Sequence, residues 1–124
     1  MKRDKSVKSA NEKYRHYTGT EKWHKYMAGY SLTDGTHGIA TETESFWFLD
    51  IIVSYKFDKK QRMKDVYSQR WVLQRNGDTD SFEVIGYNDN NEAVIRQDIE
   101  YSDFPFDSYE VLVCNNVILL PSEN

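Results

Sequence analysis

The sequence predicts an α+β domain: N-terminal helices and a central buried helix packed on an antiparallel sheet of about five strands. Three observations carry this expectation. Phe46-Trp47-Phe48-Leu49-Asp50-Ile51-Ile52-Val53 is the one long apolar run in an otherwise polar chain. Beyond Asp65 the apolar residues change to a period of two. The turn signals Asn76-Gly77-Asp78, Asn88-Asp89-Asn90-Asn91 and Asn115-Asn116 divide that second half into short segments.

In chain order, residues 4–16 read as a helix with a thin stripe of Val7, Ala10 and Tyr14, one that frays unless docked. Gly19 ends it, and Thr20 suits the N-cap of a short helix over Glu21–Tyr26. Thr33-Asp34-Gly35 is a turn signal, with a brief helical turn expected over His37–Ala40. The central helix is expected over 43–56, because Thr41 and Glu44 have capping-box spacing and no Gly or Pro interrupts. A charged connection, Lys56–Asp65, leads to strands marked by Val66–Leu73, Phe82–Ile85 and Ala93–Tyr101. Asp103-Phe104-Pro105-Phe106-Asp107 interrupts the ladder, since Pro105 cannot donate to it. Tyr109–Cys114 and Val117–Leu120 form a closing hairpin, whose free edge would allow a homodimer as well as a monomer.

A chain of 124 residues can bury a core without metal or disulfide, and it reads as a basic N-terminal arm or helix (1–15) on a single domain (16–124). Its lone cysteine, Cys114, has no internal partner and sits in an apolar segment, as a core residue does. The N-terminus lacks a signal-peptide pattern and no stretch is long enough to span a bilayer, so a cytoplasmic protein is expected. Charge is distributed unevenly. Residues 1–30 carry eight Lys/Arg against three Asp/Glu (+5), 31–75 seven against six (+1), and 76–124 one against eleven (−10). Such polarity steers charged partners without determining the fold. Aromatic residues, 15% of the chain, suit a binding surface as well as a core.

Three stretches, taken together, have a family look: Tyr17-Thr18-Gly19-Thr20-Glu21-Lys22-Trp23 with Thr33-Asp34-Gly35; Phe46–Ile52 with Ser54-Tyr55; and Gln97–Asp107 followed by Leu119-Leu120-Pro121-Ser122-Glu123. In this order they resemble a bacterial family, domain of unknown function 6876, whose members, often on mobile elements, carry F-T-G-T-E-x-W, Y-T-D-G, Y-W-L-L-D-A-I, I-E-Y-T-D-F-P-L-D and L-L-P-S-E-Y. The resemblance spans residues 16–124. It departs at Glu44-Ser45-Phe46, where the family has small residues, and at Asn124, where it has Tyr. It implies one domain and a mobile-element setting, and supplies no catalytic residue.

The residues themselves assemble no catalytic motif. His16, His24 and His37 are spaced by eight and thirteen residues, which matches no metal-ligand pattern, so neither metal nor cofactor is expected. No G-x-S-x-G element or phosphate-cradling loop is present. Asp50, inside the apolar run, must be paired, hydrogen-bonded or neutral. A structural role is expected for it, with a Tyr hydroxyl or the Trp71 indole as partner, and structural roles likewise for Trp23, Trp47 and Trp71. Two charged surfaces remain. Asp98, Glu100, Asp103, Asp107 and Glu110 are expected to form an acidic face that imitates phosphates towards a basic protein surface. Lys2, Arg3, Lys5, Lys8, Lys13 and Arg15 form the alternative, a nucleic-acid contact with Tyr14, Tyr17 and Trp23 available for stacking. The leading expectation is therefore a non-enzymatic phage or mobile-element protein that inhibits or modulates a host protein. A CRISPR-associated or other defence nuclease, met by an anti-CRISPR-type inhibitor, is the concrete version. A nucleic-acid-binding accessory protein is the alternative.

Overall fold

The computed structural model describes residues 3–124. A seven-stranded sheet runs in the order β1-β2-β7-β6-β3-β4-β5. The strands are β1 (His24–Lys25), β2 (Ser31–Leu32), β3 (Ser68–Arg75), β4 (Phe82–Tyr87), β5 (Ala93–Ile99), β6 (Ser108–Cys114) and β7 (Val117–Leu119). All neighbours are antiparallel except β2 and β7, which run parallel. The α+β class holds, but the sheet is mixed and has two more strands than expected. Both extra strands are only two residues long, too short to show a period. The closing hairpin has no free edge, because β2 covers β7; the sheet edges are β1 and β5.

The helices also differ from expectation. Helix α1 is confined to Ala10–Lys13, capped by Ser9. This helix and the segment before it lie against the sheet: Asn11 bonds the backbone of Glu110 through both ends of its amide, and the Lys8 carbonyl accepts from the Asp107 and Ser108 amides. Ala10 and Tyr14 are buried in the core, and Tyr14 meets Phe106 edge-to-face. Glu21–Tyr26 is not helical, since His24 and Lys25 pair with β2 instead. Helix α2 spans Asp34–Thr43, longer than the single turn expected. Two glycines and three threonines give it poor intrinsic propensity. It forms because Thr36, Ile39, Ala40 and Thr43 are buried and Thr33 caps it. Helix α3 covers Phe46–Ser54, shorter than expected at both ends. Glu44 adopts a left-handed conformation that closes α2, and Ser45 starts α3.

The core lies between α3 and one face of the sheet. Phe48, Leu49, Ile52 and Val53, adjacent on the helix surface, are buried against Trp71, Leu73, Phe82, Val84, Tyr109 and Val111. Gly86 sits beneath Trp71, where a Cβ would approach the ring to 2.9 Å. The Tyr109 hydroxyl is buried without a hydrogen-bond partner among the described residues, its ring flanked by Phe48 and Phe104.

Arg75 lies in phase with Trp71 and Leu73 on β3 and is 4% exposed. Its Nε donates to Asp107 Oδ1 (2.9 Å), Nη1 to Thr79 O (2.8 Å) and Asp80 Oδ1 (3.1 Å), and Nη2 to Phe104 O (2.8 Å) and Phe106 O (3.2 Å). The guanidinium also lies over the Phe82 ring at 4.5 Å. Five N–H groups and five acceptors thus join the β3–β4 turn to the Pro105 segment. Arg75→Met should destabilise the fold by about 3–5 kcal/mol in denaturant titration, because it leaves Asp107 and three carbonyls without their buried donor. Arg75→Lys should recover only part of this, having three donors instead of five.

Candidate functional site

Three segments distant in sequence meet at the start of α2. The Thr20 hydroxyl accepts from the Asp34 amide (2.8 Å); Asp34 Oδ2 accepts from the Glu21 amide (2.9 Å), and Oδ1 pairs with His24 Nε2 (2.9 Å). Glu123 reaches the same helix start. Its Oε1 accepts from the Thr33 hydroxyl (2.6 Å) and the Leu120 amide (3.0 Å), its Oε2 from the Gly35 amide (3.0 Å). A carboxylate at this position satisfies helix N–H groups and complements the helix dipole. Gly35 permits the approach, since a Cβ there would lie 2.6 Å from Leu120 Cδ1. The His24 ring stacks on His37 at 4.1 Å, with His37 edge-on to Phe46 at 6.0 Å. His16 is elsewhere, against Tyr17. Among the described residues no group of three or more His, Cys, Asp or Glu is arranged to hold a metal ion. His24 and Asp34 form a hydrogen-bonded pair, and among the described residues no hydroxyl or thiol is bonded to His24 as a nucleophile would be. The cluster is occupied with holding chain segments together.

Asp50 is half-buried and accepts a short hydrogen bond from the Tyr26 hydroxyl. The Tyr partner is thus found, while the Trp71 indole donates instead to Gln69 Oε1 (2.9 Å). Burial, and secondarily the Asp50 carboxylate, pushes the Tyr26 hydroxyl far above its usual range, so it remains a donor. Trp71 is buried and Trp47 half-buried against Phe48. Trp23 does not join them: it is 60% exposed, preceding the β1 residue His24 whose ring turns onto α2.

The acidic residues are brought to one end of the sheet but have different surroundings. Asp107 accepts from Arg75 and from Arg3 Nη2 (3.0 Å), and Glu110 pairs with Arg70 (2.9 Å), whose guanidinium stacks on Tyr87 at 3.9 Å. Asp78 pairs with Arg3, Asp80 with Arg75 and Glu83 with Arg96. Asp98 and Glu100 are exposed and have no ion-pair partner among the described residues; Asp103 is exposed as well. Beside them Tyr101 is 71% exposed. Of the basic residues, Arg3 is engaged as above, Lys5, Lys8, Lys13 and Arg15 are exposed, and Lys2 lies outside the described residues. The sequence reading missed Arg75, Glu123 and the exposed aromatics Phe57 and Tyr67. Arg75 left a signal, being in phase with the buried residues of β3, and Glu123 stands in the Leu119–Glu123 stretch that carries the family resemblance.

The Asp34 carboxyl is held below its usual range, first by the Glu21 amide and then by His24. A carboxylate whose folded pKa is depressed contributes stability above its unfolded value, about 4, and loses it as pH falls through the folded value. Asp34→Ala should therefore lower the thermal midpoint at neutral pH, and the gap to the parent should close under acid. A gap unchanged into acid would contradict the assignment.

No helix among the described residues is long and apolar enough to cross a membrane. Comparisons with curated proteins and with solved structures return no match. A family model does match, over residues 8–124, and takes in α1, the α2 cluster, α3 and the whole sheet. The chain belongs to the family of unknown function DUF6876.

Proposed function

We propose that this chain is a non-catalytic binding protein that modulates a partner by presenting the β5 edge as an acidic docking strand. One observation carries the reading: Ala93–Ile99 is hydrogen-bonded to β4 on one side only, and the carboxylates beside that open edge, Asp98 and Glu100, have no cation partner among the described residues. An open edge offers backbone groups to an added strand. Unpaired negative charge then selects for a basic surface, the kind that otherwise holds nucleic acid, and raises the rate of encounter. Exposed Tyr101 adds the aromatic contact that protein interfaces favour. On this reading the partner is a host nucleic-acid-binding protein, a defence nuclease such as a CRISPR-associated one, and the chain is its inhibitor. The mobile-element setting of this version comes from the family resemblance. The alternative, nucleic-acid binding by the N-terminal basic residues, has the weaker support, because Arg3 is tied to Asp78 and Asp107.

The test uses charge reversal where it leaves the fold intact. Asp107 is unsuitable, since reversing it would break the Arg75 cluster. Asp98→Lys combined with Glu100→Lys should melt like the parent and yet bind at least about tenfold more weakly, by biolayer interferometry, to the host protein that the parent captures from nuclease-treated lysate. Equal binding by the variant, or capture that disappears on nuclease treatment, would contradict the reading.

A further inference from the structure

The geometry points to a second binding site, independent of the β5 edge: a groove along residues 55–67 that takes single-stranded nucleic acid. A cavity of about 580 Å³ lies between this segment and Tyr30, and its lining includes Lys56, Phe57, Lys59 and Lys64. A neighbouring cavity of about 490 Å³ shares Tyr30, Asp65, Val66, Gln69 and Asn116 with it and adds Tyr67. The two therefore form one channel with an aromatic residue contributed by each part. Phe57 is 70% and Tyr67 67% exposed, so both rings are accessible to a stacking partner.

Charge complementarity identifies the occupant. Lys59 and Lys64 have no carboxylate partner among the described residues. Lys56 donates to a neutral carbonyl, Ala28 O, at 2.8 Å and lies over the Tyr30 ring at 5.5 Å, so its charge is positioned without being neutralised. Of the lining acids, Asp58 is turned inward onto Arg62 (2.9 Å) and the amides of Lys60 and Arg62, which leaves Asp65 as the opposing charge. The same Asp58 bonds, with left-handed backbone at Gln61 and Asp65, fold the segment into a fixed scaffold. A positive channel with exposed aromatic faces matches a single strand, whose phosphates meet the ammonium groups and whose unpaired bases stack on the rings. A duplex, with its bases already stacked, cannot use Phe57 and Tyr67 in this way.

Tyr30 and Asn116 place one end of the groove on the β2–β7 side, while Tyr55 at the other end donates to Gln97 of β5 (2.8 Å). The residues substituted at the two sites, Asp98 and Glu100 against Phe57, Lys59, Lys64 and Tyr67, are nevertheless different ones. The two sites can therefore be tested separately. Fluorescence anisotropy of the full chain with labelled oligothymidine of about twelve nucleotides should give saturable binding that weakens as salt rises. Three phosphate contacts would produce a log–log slope of about −2. Phe57→Ala and Tyr67→Ala should each weaken binding by about tenfold, with Tyr67→Phe close to the parent. Lys59→Gln combined with Lys64→Gln should flatten the salt slope. All these side chains are exposed, and matching thermal midpoints verify that each variant is folded. Four results would overturn the proposal: no binding at low salt, duplex of equal length bound as tightly, inorganic polyphosphate bound as tightly, or affinity that follows Lys5, Lys8, Lys13 and Arg15 instead of the groove.

Discussion

A guanidinium removed from water must find an acceptor for each of its N–H groups, and the acidic half of this molecule is arranged around that requirement at Arg75. Two carboxylates and three carbonyls from the β3–β4 turn and the Pro105 segment converge on it. The Phe104-Pro105-Phe106 stretch, which cannot join the ladder, is thereby held against the sheet, and Phe104 and Phe106 are set into the core. The same requirement sorts the surface charge. Asp80 and Asp107 go to Arg75, Asp78 to Arg3 and Glu110 to Arg70, so part of the negative excess of the C-terminal half is offset within the fold. Asp98 and Glu100, which have no ion pair among the described residues, lie beside the open edge.

The cluster at the start of α2 is a second constraint, and it explains why the stretches resembling the family sequences are those stretches. Thr20 and Glu21, Thr33 to Gly35, and Leu120 with Glu123 meet at one helix start, while Asp50 of the apolar run anchors Tyr26. These bonds hold together segments as much as 90 residues apart in sequence, which gives their residue types a structural role. Function is better sought on surfaces the fold leaves unsatisfied: the β5 edge, and the lysine–aromatic channel along 55–67.

The legible parts of this chain were those with local signals. Five strands lie where the period of two and the Asn-rich turns put them, because each alternation buries one face. The apolar run forms α3, and Asp50 takes a Tyr hydroxyl. The illegible parts depend on tertiary contacts. Helix α2, rich in Thr and Gly, is stabilised by burial and by a carboxylate from the far end of the chain, neither of which propensity registers. Strands β1 and β2 are too short to have a period, so the parallel β2–β7 pair and the covering of the closing hairpin could not be foreseen. The five-acid face was read from spacing along the chain, whereas Asp107 and Glu110 are distinguished from Asp98 and Glu100 by arginines distant in sequence.

The central claim is that the Arg75 cluster makes the β3–β4 turn and the Pro105 segment one cooperative unit with the sheet. Native-state hydrogen exchange tests it directly. The amides of Arg75, Ser102 and Asp107, bonded to Asp107, Asp80 and Lys8 carbonyls, should exchange only through the same global opening as the central β3–β6 ladder, with matching free energies and denaturant dependence. Exchange of these amides through a low-energy local opening, while the ladder stays protected, would contradict the account.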